Sequence, residues 1–242
     1  MQKPKMILFD YGQTILNEGC FDGIKGTKAV LDTCVKNPKN ITAEEIQELA
    51  NELNNEFGRF NPETSHLCQF EIHNHQFQNY LYDYFNLERI VSSLQLETIF
   101  WNAAAPASLT NHIIEFLDYL QSENIRTSVI SNISYSGKAL SNRINEFLPN
   151  NNFEFIMATS EYIFRKPNKR IFELALHKAN LTPEEVWYCG DNAICDVDGA
   201  KRAGLTPVWY KGSMVSSKNL PQTECIVIND WMELREILEN MS

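Results

Sequence analysis

Asp10 in FDYGQT, Ser131 and Asn132 in VISN, Lys166 in FRKPNKRIF, and Asp191 with Asp196 in CGDNAICD each follow a short apolar run. Taken singly, each has an ordinary explanation. Asp10 fits a turn acid or helix cap, Ser131-Asn132 a polar strand end, Lys166 a solvated helix start, and Asp196 a first-turn acid on a helix dipole. Gathered at the ends of neighbouring strands, they would surround one small space with carboxylates, a hydroxyl and a cation. That set suits phosphoryl transfer through a covalent aspartyl-phosphate. One oxygen of Asp10 would attack phosphorus, and its other oxygen would hold Mg²⁺ together with Asp191, since this hard ion takes oxygen ligands and is shared with substrate phosphate. Lys166 would neutralise charge on the transferring group, and the Ser131 hydroxyl would donate to it, with Asn132 beside it as a further phosphate contact. The backbone N–H groups of Tyr11 and Gly12 would cradle another oxygen. A cation and a lysine also explain how Asp10 stays ionised where burial alone would protonate it. Asp196 reads as a supporting acid at the metal, and Asp198 as a surface acid.

The elements that must position these residues read as a parallel sheet covered by helices. Apolar runs lie at MILF (from Met6), TSVIS (from Thr127), FEFIMAT (from Phe153), VWYCG (from Val186), TPVWY (from Thr206) and CIVI (from Cys225). Helical patterns separate most of them: SLTNHIIEFLDYL, NKRIFELALHKA and CDVDGAKRAG, with DWMELREILENM closing the chain on a capping box of Asp230 and Glu233. Strand and helix alternating in this way predict an α/β fold, a parallel Rossmann-like sheet whose ligands gather beyond the strands' carboxyl ends. Residues 17–105 differ. ITAEEIQELANELNNEF carries a Thr42–Glu45 capping box and an apolar face of Ile46, Leu49, Ala50, Leu53 and Phe57. No strand is predicted there. The expectation is an α/β core of residues 1–16 and 106–242, with an all-helical cap, 17–105, inserted after the first strand.

The ordered set FDYGQT, VISN, RKP and GDNAICD resembles the haloacid dehalogenase-like hydrolase superfamily, and its motifs run through the whole core. The insert resembles that family's helical cap, which closes over the active site and selects substrate. The resemblance implies an Mg²⁺-dependent phosphatase, with Asp10 as nucleophile, the Gly12 carbonyl as a metal ligand, and Asp191 and Asp196 around the metal. The chain departs from the family at Gly12, where most of its phosphatases carry a second Asp that protonates the leaving oxygen and then activates water. Gly12 can do neither, and Gln13 has no useful titration. Such a group contributes about 10²- to 10⁴-fold, or roughly 3–5 kcal/mol of barrier. Three readings stay open: a slow phosphatase, another acid standing in from the cap or the substrate, or a phosphate-binding protein with little turnover. A phosphomutase is a further alternative. A metal-independent dehalogenase is the rival from within the family, which also lacks the second Asp. The acids Asp191 and Asp196 weigh against it, because they would repel Asp10 without a cation.

Composition bounds the partners. A net charge of −10 and a pI near 5.0 argue against nucleic acid or an anionic membrane as the main partner, but leave room for a small phosphorylated metabolite. The first residues do not read as a secretion signal, no apolar run is long enough to span a bilayer, and the six cysteines form no C-x-x-C pair. The expectation is a cytoplasmic protein with reduced thiols, a monomer or small homo-oligomer. EIHNHQF is read as cap surface rather than a metal site, since His73 and His75 diverge on a helix. Tyr80, Tyr82, Tyr84 and Phe85 are read as cap packing. Segments 17–21 and 103–108 would join cap to core and act as hinges. Glu18, Arg59 and Arg165 are polar candidates for touching substrate.

Overall fold

The structure is a computed structural model that describes residues 2–58, 67–214 and 219–241. Arg59 lies outside the described residues. In chain order the elements begin with β1 (Met6–Phe9), β2 (Leu16–Glu18), α1 (Gly23–Thr33), β3 (Val35–Lys36), α2 (Ala43–Glu56), α3 (Asn74–Tyr84), β4 (Glu88–Arg89) and α4 (Ser93–Ala104). They continue with β5 (Ala107–Leu109), α5 (Ile113–Ser122), β6 (Arg126–Ser131), α6 (Gly137–Phe147), β7 (Ile156–Ala158) and α7 (Lys169–Ala179). The last are β8 (Val186–Gly190), α8 (Gly199–Arg202), β9 (Thr206–Tyr210), β10 (Ile226–Ile228) and α9 (Trp231–Glu239).

The six expected apolar runs form one parallel sheet in the order β10-β9-β8-β1-β6-β7. After β1 the chain builds outward through β6 and β7, then returns to the other flank at β8. The two directions part beside β1, at the topological switch where such sheets bind ligands. Alternation along β1 explains why the run is continuously apolar. Ile7 and Phe9 enter one cluster with Phe116 and Trp231, while Met6 and Leu8 enter another with Ile171 and Phe172. Helices therefore cover both faces, as a parallel sheet requires. On the first face Tyr210 stacks on Trp231 with ring centroids 4.4 Å apart.

Helices α1 to α4 enclose a separate apolar cluster that includes Val30, Cys34, Ile46, Ala50, Leu81 and Leu96. The Thr42–Glu45 capping box forms at the start of α2, and Ser92 with Gln95 forms another at α4. Ile46 and Ala50 face that interior, with Leu49 and Leu53 packed against it, but Phe57 is exposed.

Several expectations need correction. The insert is not wholly helical, because β3 and β4 pair as a two-residue antiparallel ribbon. So short a pairing leaves no alternation to detect in sequence. β2 and β5 also pair antiparallel, Glu18 opposite Ala107, so the chain enters and leaves the helical insert side by side. Tyr82 is buried, but Tyr80 and Tyr84 are exposed and stack on each other. At α9, Asp230 accepts from the Met232 N–H, while Glu233 reaches the Asn229 N–H rather than closing the box on Asp230. Asp198 is buried, not a surface acid. It accepts from the N–H groups of Gln222 and Thr223 and from the Thr223 hydroxyl, and so anchors the loop before β10.

Candidate active site

Asp10 follows β1 directly, its N–H donating to the Cys189 carbonyl of β8 at 2.8 Å. The turn beyond it is tight: the N–H groups of Ile15 and Leu16 both reach the Tyr11 carbonyl. Gln13 sits at φ +57°, a left-handed conformation that glycine adopts more readily. Its N–H donates to the Leu16 carbonyl, and its side-chain amide donates to the Glu18 carbonyl at 2.8 Å, tying the turn to β2. Gly12 itself lies outside the left-handed region, and a Cβ there would meet only Glu18 Oε2, at 3.8 Å.

Lys166 reaches this point from the loop before α7. Its ammonium donates to Asp10 Oδ1 at 2.7 Å, Asp196 Oδ1 at 2.6 Å and the Tyr188 hydroxyl at 2.6 Å, which uses all three of its protons. The side chain is 2% exposed. Asn132 holds the loop in place: its amide oxygen accepts from the Lys166 N–H and its amide nitrogen donates to the Lys166 carbonyl. The Asn132 side chain is thus a positioning group for Lys166. Ser131, buried at the end of β6, lines the same cavity as Tyr11, Gly12 and Asp10.

Asp191 and Asp196 come from the turn after β8. Asp196 lies on a single π-helical turn, Ala193–Asp198, and its Oδ2 accepts from the Asn192 N–H. Gly190 makes room for it, since a Cβ at that position would fall 2.4 Å from the Asp196 carboxylate. This is the physical reason for glycine ahead of Asp191. The backbone carbonyl of Asp191 accepts from the Trp209 indole, which fixes the strand end.

The electrostatics follow from the crowding. Burial pushes the Asp10 carboxyl up to about 6 despite Lys166, with Asp196 adding to the rise. Burial, then Asp196 and Asp10, push Asp191 well above the usual carboxylate range. For Lys166 burial works against the charge, but Asp10 and Asp196 outweigh it and raise its pKa. Carboxylate oxygens of Asp10, Asp191 and Asp196 lie within 4.8 Å of one another. One ammonium cannot neutralise three carboxylates, two of them buried and Asp191 half-buried. An all-oxygen donor set with this excess of negative charge fits a divalent hard cation.

Above this floor stands a cavity of about 720 Å³, walled on the far side by the insert, including Ile46, Phe77, Gln78, Leu81 and Phe100. Arg165 and Glu71 line it too, with Arg165 Nε 3.6 Å from Glu71 Oε2. His73 and His75 form no shared metal grip. His73 caps α3, and His75 pairs with the buried Glu97 at 2.9 Å. Sequence reasoning missed Arg143, Trp101 and Tyr188. Arg143, buried on α6, donates to the Tyr11 hydroxyl, to Asn102 and to the Ala105 carbonyl, and its guanidinium lies over the Trp101 ring. Each sits inside an ordinary apolar or amphipathic pattern, so nothing in the local sequence marks it.

Comparison with known proteins places this geometry among relatives. The chain is 35% identical over 89 residues to a glyceraldehyde 3-phosphate phosphatase of Pyrococcus furiosus, covering 36% of this chain and 37% of that protein. It is 30% identical over 126 residues to the enzyme of the same name from Methanothermobacter thermautotrophicus, covering 49% and 54%. It is 39% identical over 57 residues to a phosphoserine phosphatase of Thermus thermophilus, covering 24% and 23%. The chain thus spans about half or less of the length of these relatives. Among solved structures, a phosphatase of the same superfamily from Thermococcus onnurineus matches over 100% of this chain and 99% of its own, with a TM-score of 0.62 at 20% identity. A 2-haloacid dehalogenase from Pseudomonas syringae pv. tomato matches over 99% of each chain, with a TM-score of 0.60 at 18% identity. At such identities these two speak for the fold alone. The family model for haloacid dehalogenase-like hydrolases matches residues 7–210, most of the chain and every motif of the site, and the protein belongs to that family.

Proposed function

We propose that the protein is a phosphatase that cleaves a small phosphate monoester through an aspartyl-phosphate on Asp10. The observation that carries this reading is the convergence of Lys166, Asp191 and Asp196 on Asp10 at the floor of one cavity. A nucleophilic carboxylate must meet a dianion, which requires compensating positive charge. Mg²⁺ is the cation we assign, held by Asp10, Asp191 and the Gly12 carbonyl, with Asp196 in support; when bound it would offset the charge of nucleophile and substrate. Lys166 binds and orients the Asp10 carboxylate while it faces the transferring group, and Asn132 keeps Lys166 in that position. Ser131 and the backbone N–H groups of Tyr11 and Gly12 are the contacts for phosphate oxygens. The named activities of the partial relatives support the substrate class.

We further assign residues 1–16 and 106–242 to the core and 17–105 to a cap that selects substrate. Six unpaired cysteines and the absence, among the described residues, of a helix long and apolar enough to cross a membrane support a cytoplasmic setting. The acid cluster favours this reading over dehalogenation without a metal, in which Asp191 and Asp196 would only repel Asp10.

The test is hydrolysis of p-nitrophenyl phosphate with and without Mg²⁺, beside Asp10→Asn. The expected outcome is Mg²⁺-dependent turnover that drops by at least ~10³-fold in the variant. Turnover that survives Asp10→Asn overturns the assignment of the nucleophile.

A further inference from the structure

Position 12 lacks the carboxyl group that this chemistry needs, yet a carboxyl group stands beside it. Glu18, at the end of β2, turns its side chain back toward the turn after β1. Its Oε1 accepts from the Tyr11 hydroxyl at 3.1 Å and the Trp101 indole at 2.9 Å, and lies 3.5 Å from the Arg143 guanidinium. All of these contacts fall on one oxygen. Among the described residues no hydrogen bond reaches Oε2, which sits 3.8 Å from the point where a side chain at position 12 would begin. The free oxygen of Glu18 therefore stands at van der Waals distance from the start of a side chain at position 12, and nothing else crowds that point.

Five acids line the cavity, and four have other duties. Asp10 is the nucleophile, and Asp191 and Asp196 serve the cation and Lys166. Glu71 faces Arg165 and accepts from the Thr159 hydroxyl. Glu18 is the one beside Gly12. It comes from the same short stretch as Asp10, braced by Gln13 from below and by Trp101 from the insert. Burial raises its pKa against the pull of Arg143, which favours the proton-carrying form a general acid requires.

We propose that Glu18 is a catalytic residue, the general acid and then the general base that replaces a side chain at position 12; this rests on Asp10 being the nucleophile of a phosphatase. In the first step Asp10 forms a bond to phosphorus while the bond from phosphorus to the leaving oxygen breaks, and that oxygen takes the proton from Glu18 Oε2 to depart as an alcohol. In the second step Glu18 takes a proton from water as the water oxygen attacks phosphorus. The bond to Asp10 breaks, inorganic phosphate leaves, and Glu18 is protonated again.

The experiment compares wild type with Asp10→Asn, Glu18→Gln, Glu18→Asp and the double variant Gly12→Asp/Glu18→Gln, all with Mg²⁺. The substrates are p-nitrophenyl phosphate, whose leaving group needs little protonation, and phenyl phosphate, which resembles it but leaves poorly. For Glu18→Gln, kcat/KM should fall ~10²-fold on phenyl phosphate and far less on p-nitrophenyl phosphate. Its kcat should fall on both, with a burst of one nitrophenol per site and a trapped phosphoenzyme. Glu18→Asp keeps the charge facing Arg143 and should show the same selectivity in weaker form, so the proposal stays testable if Glu18→Gln folds poorly. Gly12→Asp, which has room for its Cβ, should restore phenyl phosphate hydrolysis in the double variant. Equal losses on both substrates, with no burst and no rescue, would make Glu18 a structural brace and overturn the proposal, as would variants indistinguishable from wild type. Activity surviving in Asp10→Asn would overturn the underlying phosphatase reading instead.

Discussion

Lys166 spends all its protons on two carboxylates and a phenol, which makes the placement of Asp196 as consequential as that of Asp10. Gly190 controls that placement. Gly190→Ala would drive a methyl group into the Asp196 carboxylate, so the acid must move and Lys166 loses one anchor. The expected cost is about 1–3 kcal/mol of stability, as for other forced overpacking. Turnover should fall disproportionately, measured as urea midpoint beside kcat on p-nitrophenyl phosphate; wild-type values for both would show that the contact relaxes freely. At this scale the sequence is informative wherever a polar residue ends an apolar run, as at Asp10, Ser131 and Asp191. It is silent on Arg143, whose link to Tyr11 spans 132 positions and depends on how α6 packs. It also suggests a phosphate contact for Asn132, whose amide is instead taken up by the backbone of Lys166.

The strands of the sheet are legible because a strand buried on both faces must be apolar throughout, and the turn residues after each one end the run. The short ribbons are not, since pairings of two or three residues carry no period. The edge of the sheet offers a test of its own. Arg126 on β6 grips Glu154, just before β7, through two bonds of 2.6 Å. The bond from Arg126 holds the Glu154 carboxyl below its usual range. The folded state therefore binds fewer protons than the unfolded one at acid pH. The contribution is complete above the ordinary glutamate value and fades as pH falls through the lowered one. Both side chains are more than a third exposed, so solvent screens the pair to less than about 1 kcal/mol. Glu154→Gln should cost that much at neutral pH and progressively less as pH falls through the lowered value, read from urea unfolding over a series of pH values from neutral to acid. A cost independent of pH would mean that shape, not charge, matters at this edge.

For the whole molecule, the proposed cation would tie folding to the acid cluster. A ligand held only by the native state stabilises it by mass action, by about 2.7 kcal/mol at a hundredfold excess over Kd. Mg²⁺ should therefore raise the melting temperature of EDTA-treated protein, and Asp191→Asn should remove most of that rise. A full shift in the variant would move the cation away from this cluster. The chain passes out through Glu18 and returns through Ala107 on the paired strand of a separate two-stranded ribbon, with the Gly19 N–H bonded to the Pro106 carbonyl at 2.9 Å. Such a junction is a natural graft point. Everything between residues 19 and 106 could be exchanged for a foreign segment while Asp10, Glu18, Lys166, Asp191 and Asp196 stay on the host. The graft would have to bring one thing with it, a donor in place of the Trp101 indole, because without that the transplanted enzyme would inherit a new appetite and a loosened Glu18.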